Sequence, residues 1–248
     1  MDTLPRLLTH PALRIGTLLV LVLGSLAISY GSLDYFADDN WPQFVVEKLP
    51  LSSEAREAQW LLALQVHVVA AAVAFPGCLA LLSRGLLRRA PRVHRHLGRV
   101  VGVVVLSALA PSGLFMALFA KGGLAGVVGF LLTGVIVIVA MVAGIVTARR
   151  RKLVAHRRAM LHVVAQMSVA VTSRLMMFAL AAAHVDADTA YLIALWLPVI
   201  GSALLVEMLV ARPTSAARHR DRSPHVALRD RVVVAGAAVV AARAAGGR

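Results

Sequence analysis

Few residues in this chain have chemical capacity, and most of them sit inside or beside apolar runs. The densest set lies in Ala155 to Leu175, AHRRAMLHVVAQMSVAVTSRL. At about 100° per residue, His156, His162, Gln166, Ser173 and Arg174 fall within a sector of roughly 120°, and His184 falls there too. That is a polar stripe on an otherwise apolar helix, expected to face the interior of a bundle. Arg174 is the most informative member. A charge inside a bilayer costs about 2.5–3.5 kcal/mol on insertion scales, so a partner at the same depth or a bound anionic ligand is expected for it. His67 is a second ionisable group deep in an apolar run, and Glu207 is the one carboxylate within the later runs.

Three chemistries fit these residue types. Haem iron is held between helices by ligands at matching depth. His96 with His162 is the inner candidate pair and His67 with Met177 an outer one, with Arg174 available to pair a propionate. A haem-binding or redox-related membrane protein is therefore the leading expectation. Alternatively, a desolvated Glu207 or His67 could serve as acid or base on a lipid-soluble substrate, which leaves enzymatic activity undecided. In the third case the stripe lines a passage or docking groove, as in a transporter or assembly factor. Depth estimates organise the candidates into two layers. At about 1.5 Å per residue, His67 and Arg174 each lie roughly 15 Å inside their runs, while Gln166 and Glu207 both reach the inner half.

The elements that must position these groups are membrane helices. With 248 residues, 59% of them hydrophobic and 15% charged, and a mean hydropathy of +0.79, the chain has too little polar surface to clothe a soluble domain. The expected class is all-α, a polytopic bundle of about six transmembrane helices near 13–30, 58–82, 100–120, 124–147, 158–183 and 191–210, followed by a basic tail over 211–248. The net charge of +14 points to topology rather than to nucleic acid, because the cations cluster between apolar runs. Arg84, Arg88, Arg89, Arg92, Arg95 and Arg99 crowd one connection; Arg149, Arg150, Arg151, Lys152, Arg157 and Arg158 crowd another. Both are expected in the cytoplasm, with both termini, in a multi-pass protein of the plasma membrane. The opposite connections hold Asp34, Asp38, Asp39, Glu47 and Glu54, or Asp186 and Asp188.

Smaller features complete the pattern. Trp41 and Trp60 are placed either at the headgroup level or in ordinary packing, and Pro76 is expected to kink the second span. Lys121, Gly122 and Gly123 make a minimal turn. Cys78 is the only cysteine, which excludes an intrachain disulfide and a thiolate metal cluster. Both basic connections carry a His-Arg pair just before a span, His94 with Arg95 and His156 with Arg157. The lipid bilayer is the expected partner, with a lipid-soluble or anionic small ligand.

The combination of a histidine in an apolar run, HRHLGR opening one span, AHRRAM opening another, VTSRL deep within it and a glutamate late in the last span resembles a bacterial membrane family, domain of unknown function 2306. The resemblance covers roughly His67 to Glu207. It implies a helical membrane fold and draws attention to His67, His94, Arg95, Gly98, Arg99, His156, Arg157, Met160, Arg174 and Glu207. Four positions depart from the family pattern: Leu81 replaces a glutamine, His162 an arginine, and Val101 with Gly102 an aromatic.

Overall fold

A computed structural model describes residues 11–36, 45–46, 51 and 53–210. Trp41 and the basic tail lie outside the described residues. Two compact units are distinguished, Met1–Val206 and Glu207–Arg248. The helices below belong to the first, apart from the last turn of the final helix.

Six helical segments are long and apolar enough to cross a membrane, and no strand occurs among the described residues. In chain order the helices are α1 (Pro11–Gly31), α2 (Glu54–Leu81), the short α3 (Arg84–Arg89), α4 (Pro91–Val104), α5 (Ala110–Ala117), α6 (Gly123–Arg149), α7 (Leu153–Ala182) and α8 (Ala187–Val210). A short 3-10 segment, Ser32–Phe36, extends α1. α4 and α5 are one crossing helix interrupted by a π-helical turn, Val105–Leu109.

Several helices start earlier than their apolar runs. The third crossing begins at Pro91 rather than near Val100, and α7 at Leu153 rather than near Arg158. Arg92, Arg95 and Arg99 thus ride on the first turns of α4 instead of forming a loop. Arg84 to Arg89 form α3, whose start is capped by Ser83 Oγ accepting the Leu86 N–H at 3.2 Å. Pro91 at the head of α4 gives up an N–H that had no helical partner to lose.

The core is built from Ala70, Ala74, Phe75, Cys78 and Leu79 of α2, Val101 of α4, Val105 and Leu109 of the π turn, Val137, Ala140 and Met141 of α6, and Val163, Met167 and Val171 of α7. Pro76 lies within α2. Small residues let the helices close up, as in membrane bundles generally. A Cβ at Gly77 would fall 2.7 Å from Val101 Cγ2, one at Gly24 2.6 Å from Val171 Cγ1, and one at Gly129 2.6 Å from Leu195 Cδ2. Leu62, Val69, Val73, Val139, Phe178 and Leu204 point outward and remain exposed. Helices that are apolar on both inner and outer faces suit a lipid surround.

At the acidic end, the turn after α5 needs the left-handed backbone of Gly122 (φ 83°) and Gly123 (φ 61°). Lys121 Nζ meets Asp188 at 3.2 Å across two connections, an exposed pair worth about 0–1 kcal/mol. Asp186 caps α8 by accepting the Thr189 N–H at 3.0 Å, which holds its carboxyl below the ordinary carboxylate range. Its contribution is therefore present above the unfolded carboxyl's titration and is lost as pH falls through the folded value. Trp60 is 3% exposed and packs with Val45 and Leu64 against Phe115 and Phe119. Of the two placements considered for it, the structure shows packing.

Candidate functional site

His67 stands halfway along α2 and reaches across to the π turn. Its Nδ1 lies 3.1 Å from the Leu109 carbonyl oxygen and 3.2 Å from Ser112 Oγ. A carbonyl only accepts, so Nδ1 carries the proton. The Ser112 hydroxyl donates its own hydrogen to the Ala108 carbonyl at 2.6 Å, so it too faces Nδ1 as an acceptor. Nδ1 of His67 is thereby held as the N–H nitrogen, so in the neutral imidazole the lone pair lies on Nε2. Gly113 makes the room: a Cβ there would lie 2.8 Å from His67 Cε1 and 3.1 Å from Nδ1.

The π turn has a local cause in Pro111. Proline has no N–H, and its ring crowds the carbonyl four residues back. Widening the helix relieves this, and the Ala110 N–H bonds to the Val105 carbonyl five residues earlier. π turns of this kind are frequent at functional sites. Sequence reasoning singled out His67 but missed Leu109, Ser112 and Gly113. The available signal was a proline followed by a glycine inside an apolar span.

On α7 the Gln166 side chain turns to the last helix. Gln166 is 2% exposed and donates from Nε2 to the Val199 carbonyl and to Ser202 Oγ, both at 3.1 Å. Its Oε1 is buried without a partner. Turning the amide over would set Oε1 against the Val199 carbonyl, two acceptors face to face, so the orientation is fixed by chemistry. Glu207 belongs to the second compact unit.

Arg174 corrects the expectation of an inward stripe. It is exposed and donates from Nη1 to the Ala170 carbonyl of its own helix at 2.7 Å. It does not pair with His67, whose Nδ1 is engaged by the π turn. The guanidinium lies within electrostatic reach of Tyr35, near the end of the first span, a level where a charge is less costly than at mid-membrane. His184 is exposed as well, while His162 and Ser173 are half-buried.

At the basic end, His156 Nδ1 donates to the Gly144 carbonyl of α6 at 2.9 Å. His94, on α4, lies close enough to His156 for the two to interact electrostatically, and its Nδ1 is buried without a partner. Gly102 of α4 faces Ile145 and Met141, and a Cβ on Gly144 would run into the Met160 side chain of α7. His96 sits about 200° round α4 from His94 and is exposed, as are Arg95, Arg99 and Arg157. Met177 is half-buried and about 120° round α7 from Val171, which faces the core. Among the described residues, no group of three or more His, Cys, Asp or Glu side chains gathers to hold a metal ion.

No curated protein and no solved structure matches the chain. Residues 64–210, which contain His67, its π-turn anchor and the His94–His156 pair, match the model of the predicted membrane protein family named for domain of unknown function 2306, and the chain belongs to that family.

Proposed function

We propose that this multi-pass membrane protein is a histidine-centred, redox-related protein that holds haem within the membrane, with His67 as an iron ligand. The observation that supports this most is the Nδ1 contact of His67 with the Leu109 carbonyl and Ser112. Histidines that ligate metals characteristically donate their other N–H to a carbonyl or similar acceptor, which fixes the tautomer and the ring plane. The clearance at Gly113 fits a ring kept at a set angle. The sequence also narrows the choice of chemistry. Between Glu57 and Asp186 there is no carboxylate, so an acid–base reaction in this stretch would have to work without one. A bound haem would supply one-electron transfer. The chain itself supplies an oriented imidazole and a wall of apolar side chains that excludes water.

Protein purified in detergent from haem-replete cells is expected to show a Soret band with sharp α and β bands on reduction. His67→Ala should lose that spectrum while keeping its helical content. A colourless wild-type preparation would refute the haem reading.

We also infer that the basic end faces the cytoplasm, following the arginine bias of the connections. Single cysteines at exposed Ala155 and Ala183 provide the check in intact cells treated with an impermeant maleimide. Ala183→Cys should label and Ala155→Cys should not; the reverse pattern would invert the topology.

A further inference from the structure

Gln166 lies well inside two crossing helices at once, about 20 Å from the start of α7 and, through its bond to Val199, about 18 Å from the start of α8. Its Nε2 spends its hydrogens on the Val199 carbonyl and on Ser202 Oγ, and the residue is 2% exposed. With the nitrogen fixed in this way Oε1 is aimed at one point, where it is buried with no donor.

Hydrocarbon offers no hydrogen bonds, so an acceptor buried there without a donor bears its full desolvation cost. Among the described residues, the hydroxyl donors along this seam are already spent. Ser168 and Thr172 of α7 donate to the Ala165 and Ser168 carbonyls at 2.6 and 3.0 Å, and Ser202 of α8 donates to the Val199 carbonyl at 3.3 Å. The Trp196 indole turns to α6, with Cε2 3.5 Å from where a Gly129 Cβ would stand.

The chemistry of a ligand for Oε1 follows from its surroundings. The oxygen only accepts, so the ligand brings a hydrogen. The neighbouring Val163, Met167, Val169, Leu195 and Val199 are apolar and buried, so a cation would sit without a counter-charge, and a neutral donor fits instead. The seam is open at one edge: Ser202 is half-buried, and a Cβ on the adjacent Gly201 would meet nothing within 4 Å. Oε1 itself is covered, so a ligand entering at that edge draws α7 and α8 slightly apart.

We propose that Gln166, its amide held in place by Ser202 and the Val199 carbonyl, is an intramembrane binding site for one neutral hydroxyl group, which donates to Oε1 between α7 and α8. The hydroxyl is that of a buried water molecule, of the kind that satisfies otherwise unpaired buried groups, or of a lipid-soluble alcohol or phenol. The site shares no residue with that of His67 and does not depend on the haem reading.

The test reads the Gln166 carbonyl by infrared spectroscopy. Full-length protein is made by cell-free synthesis with glutamine carrying carbon-13 at the side-chain carbonyl, in nanodiscs of extracted membrane lipid. The chain has four glutamines, Gln43, Gln59, Gln65 and Gln166. The Gln166 band is the one lost in Gln166→Leu and, should that variant fail to fold, the one that remains in Gln43→Asn/Gln59→Asn/Gln65→Asn. In hydrated discs it is expected below the frequency of a primary amide diluted in dry alkane, the downward shift that a donated hydrogen produces. A band that rises to the alkane position on drying and returns with water vapour assigns the hydroxyl to water. A band unmoved by drying that rises after exchange into pure phosphatidylcholine, which carries no O–H, assigns it to a lipid-soluble molecule. A band at the alkane position in hydrated discs shows that Oε1 has no donor and that the site does not exist. A low band that neither treatment moves overturns the proposal as well, because the donor then belongs to the protein.

Discussion

Gly126→Ala is expected to destabilise the protein by about 1–3 kcal/mol or more, a large effect for one methyl group. Gly126 is buried in the first turn of α6, and a Cβ there would collide with the Lys121 backbone carbonyl. A clash with the end of a flexible side chain can be relieved by a rotamer change. This one cannot, because the carbonyl belongs to a turn already constrained by the positive φ angles of Gly122 and Gly123. Lys121 also anchors the contact with Asp188, so displacing the turn disturbs the start of α8 as well. Gly98→Ala and Gly201→Ala provide the comparison, since a Cβ at either meets nothing within 4 Å. There the lower chain entropy of alanine should leave stability unchanged or raise it by up to about 1 kcal/mol. Unfolding titrations in mixed micelles would separate the three; equal behaviour of all of them would show that the α5–α6 turn yields freely.

Gly113→Val is expected to disable the His67 site without removing His67. The first carbon of the new side chain would occupy space 2.8 Å from His67 Cε1. The imidazole is flat and stiff, so the ring must turn about its own side-chain bonds and leave the Leu109 carbonyl. A buried carbonyl that loses its donor costs about 1–3 kcal/mol, and the Ser112 hydroxyl, 3.1 Å from Leu109 O, takes over only by giving up the Ala108 carbonyl. The functional loss should be greater than the structural one. Removing the orientation of a ligating histidine typically lowers metal affinity about 10–100-fold, and the haem-to-protein ratio after purification should fall accordingly. Gly113→Ala should show an intermediate ratio, and Ser112→Ala, which leaves the Leu109 contact in place, a smaller loss. An unchanged spectrum in Gly113→Val would mean that the π-turn contact does not orient the ligand.

The sequence made the bundle readable for a simple reason: six apolar runs of bilayer length have few other ways to fold. The starts of α4 and α7 were harder to read. Their first turns carry Arg92, Arg95, Arg157 and Arg158, and hydropathy marks such turns as loops although helical geometry simply continues through them. His67 was visible because an ionisable group in an apolar run stands out. Its anchor was not, since a π turn shifts the phase of a helix without altering its composition. Arg174 misled because the angular sector that holds Gln166 extends past it, while the long side chain turns back to its own Ala170 carbonyl. Gln166 was rightly placed inward, yet its observed partners are Val199 and Ser202, a backbone carbonyl and a small hydroxyl that no charge pattern marks.

The π turn at Val105–Leu109 also gives the third crossing helix a place where a change in residue count can be taken up. A π turn holds one residue more than the α-helical turn it replaces. Deleting one of those five residues would close the turn into the α form, and because the shorter turn advances about as far round the axis as the longer one, Ser112 and Gly113 would keep their direction toward His67. The Pro111 ring would again crowd the carbonyl four residues back. A deletion elsewhere in the helix has no such slack and would rotate everything beyond it by about 100°. Selection on the site would therefore act on length along this span, except at the π turn, where a one-residue gap costs strain rather than the site.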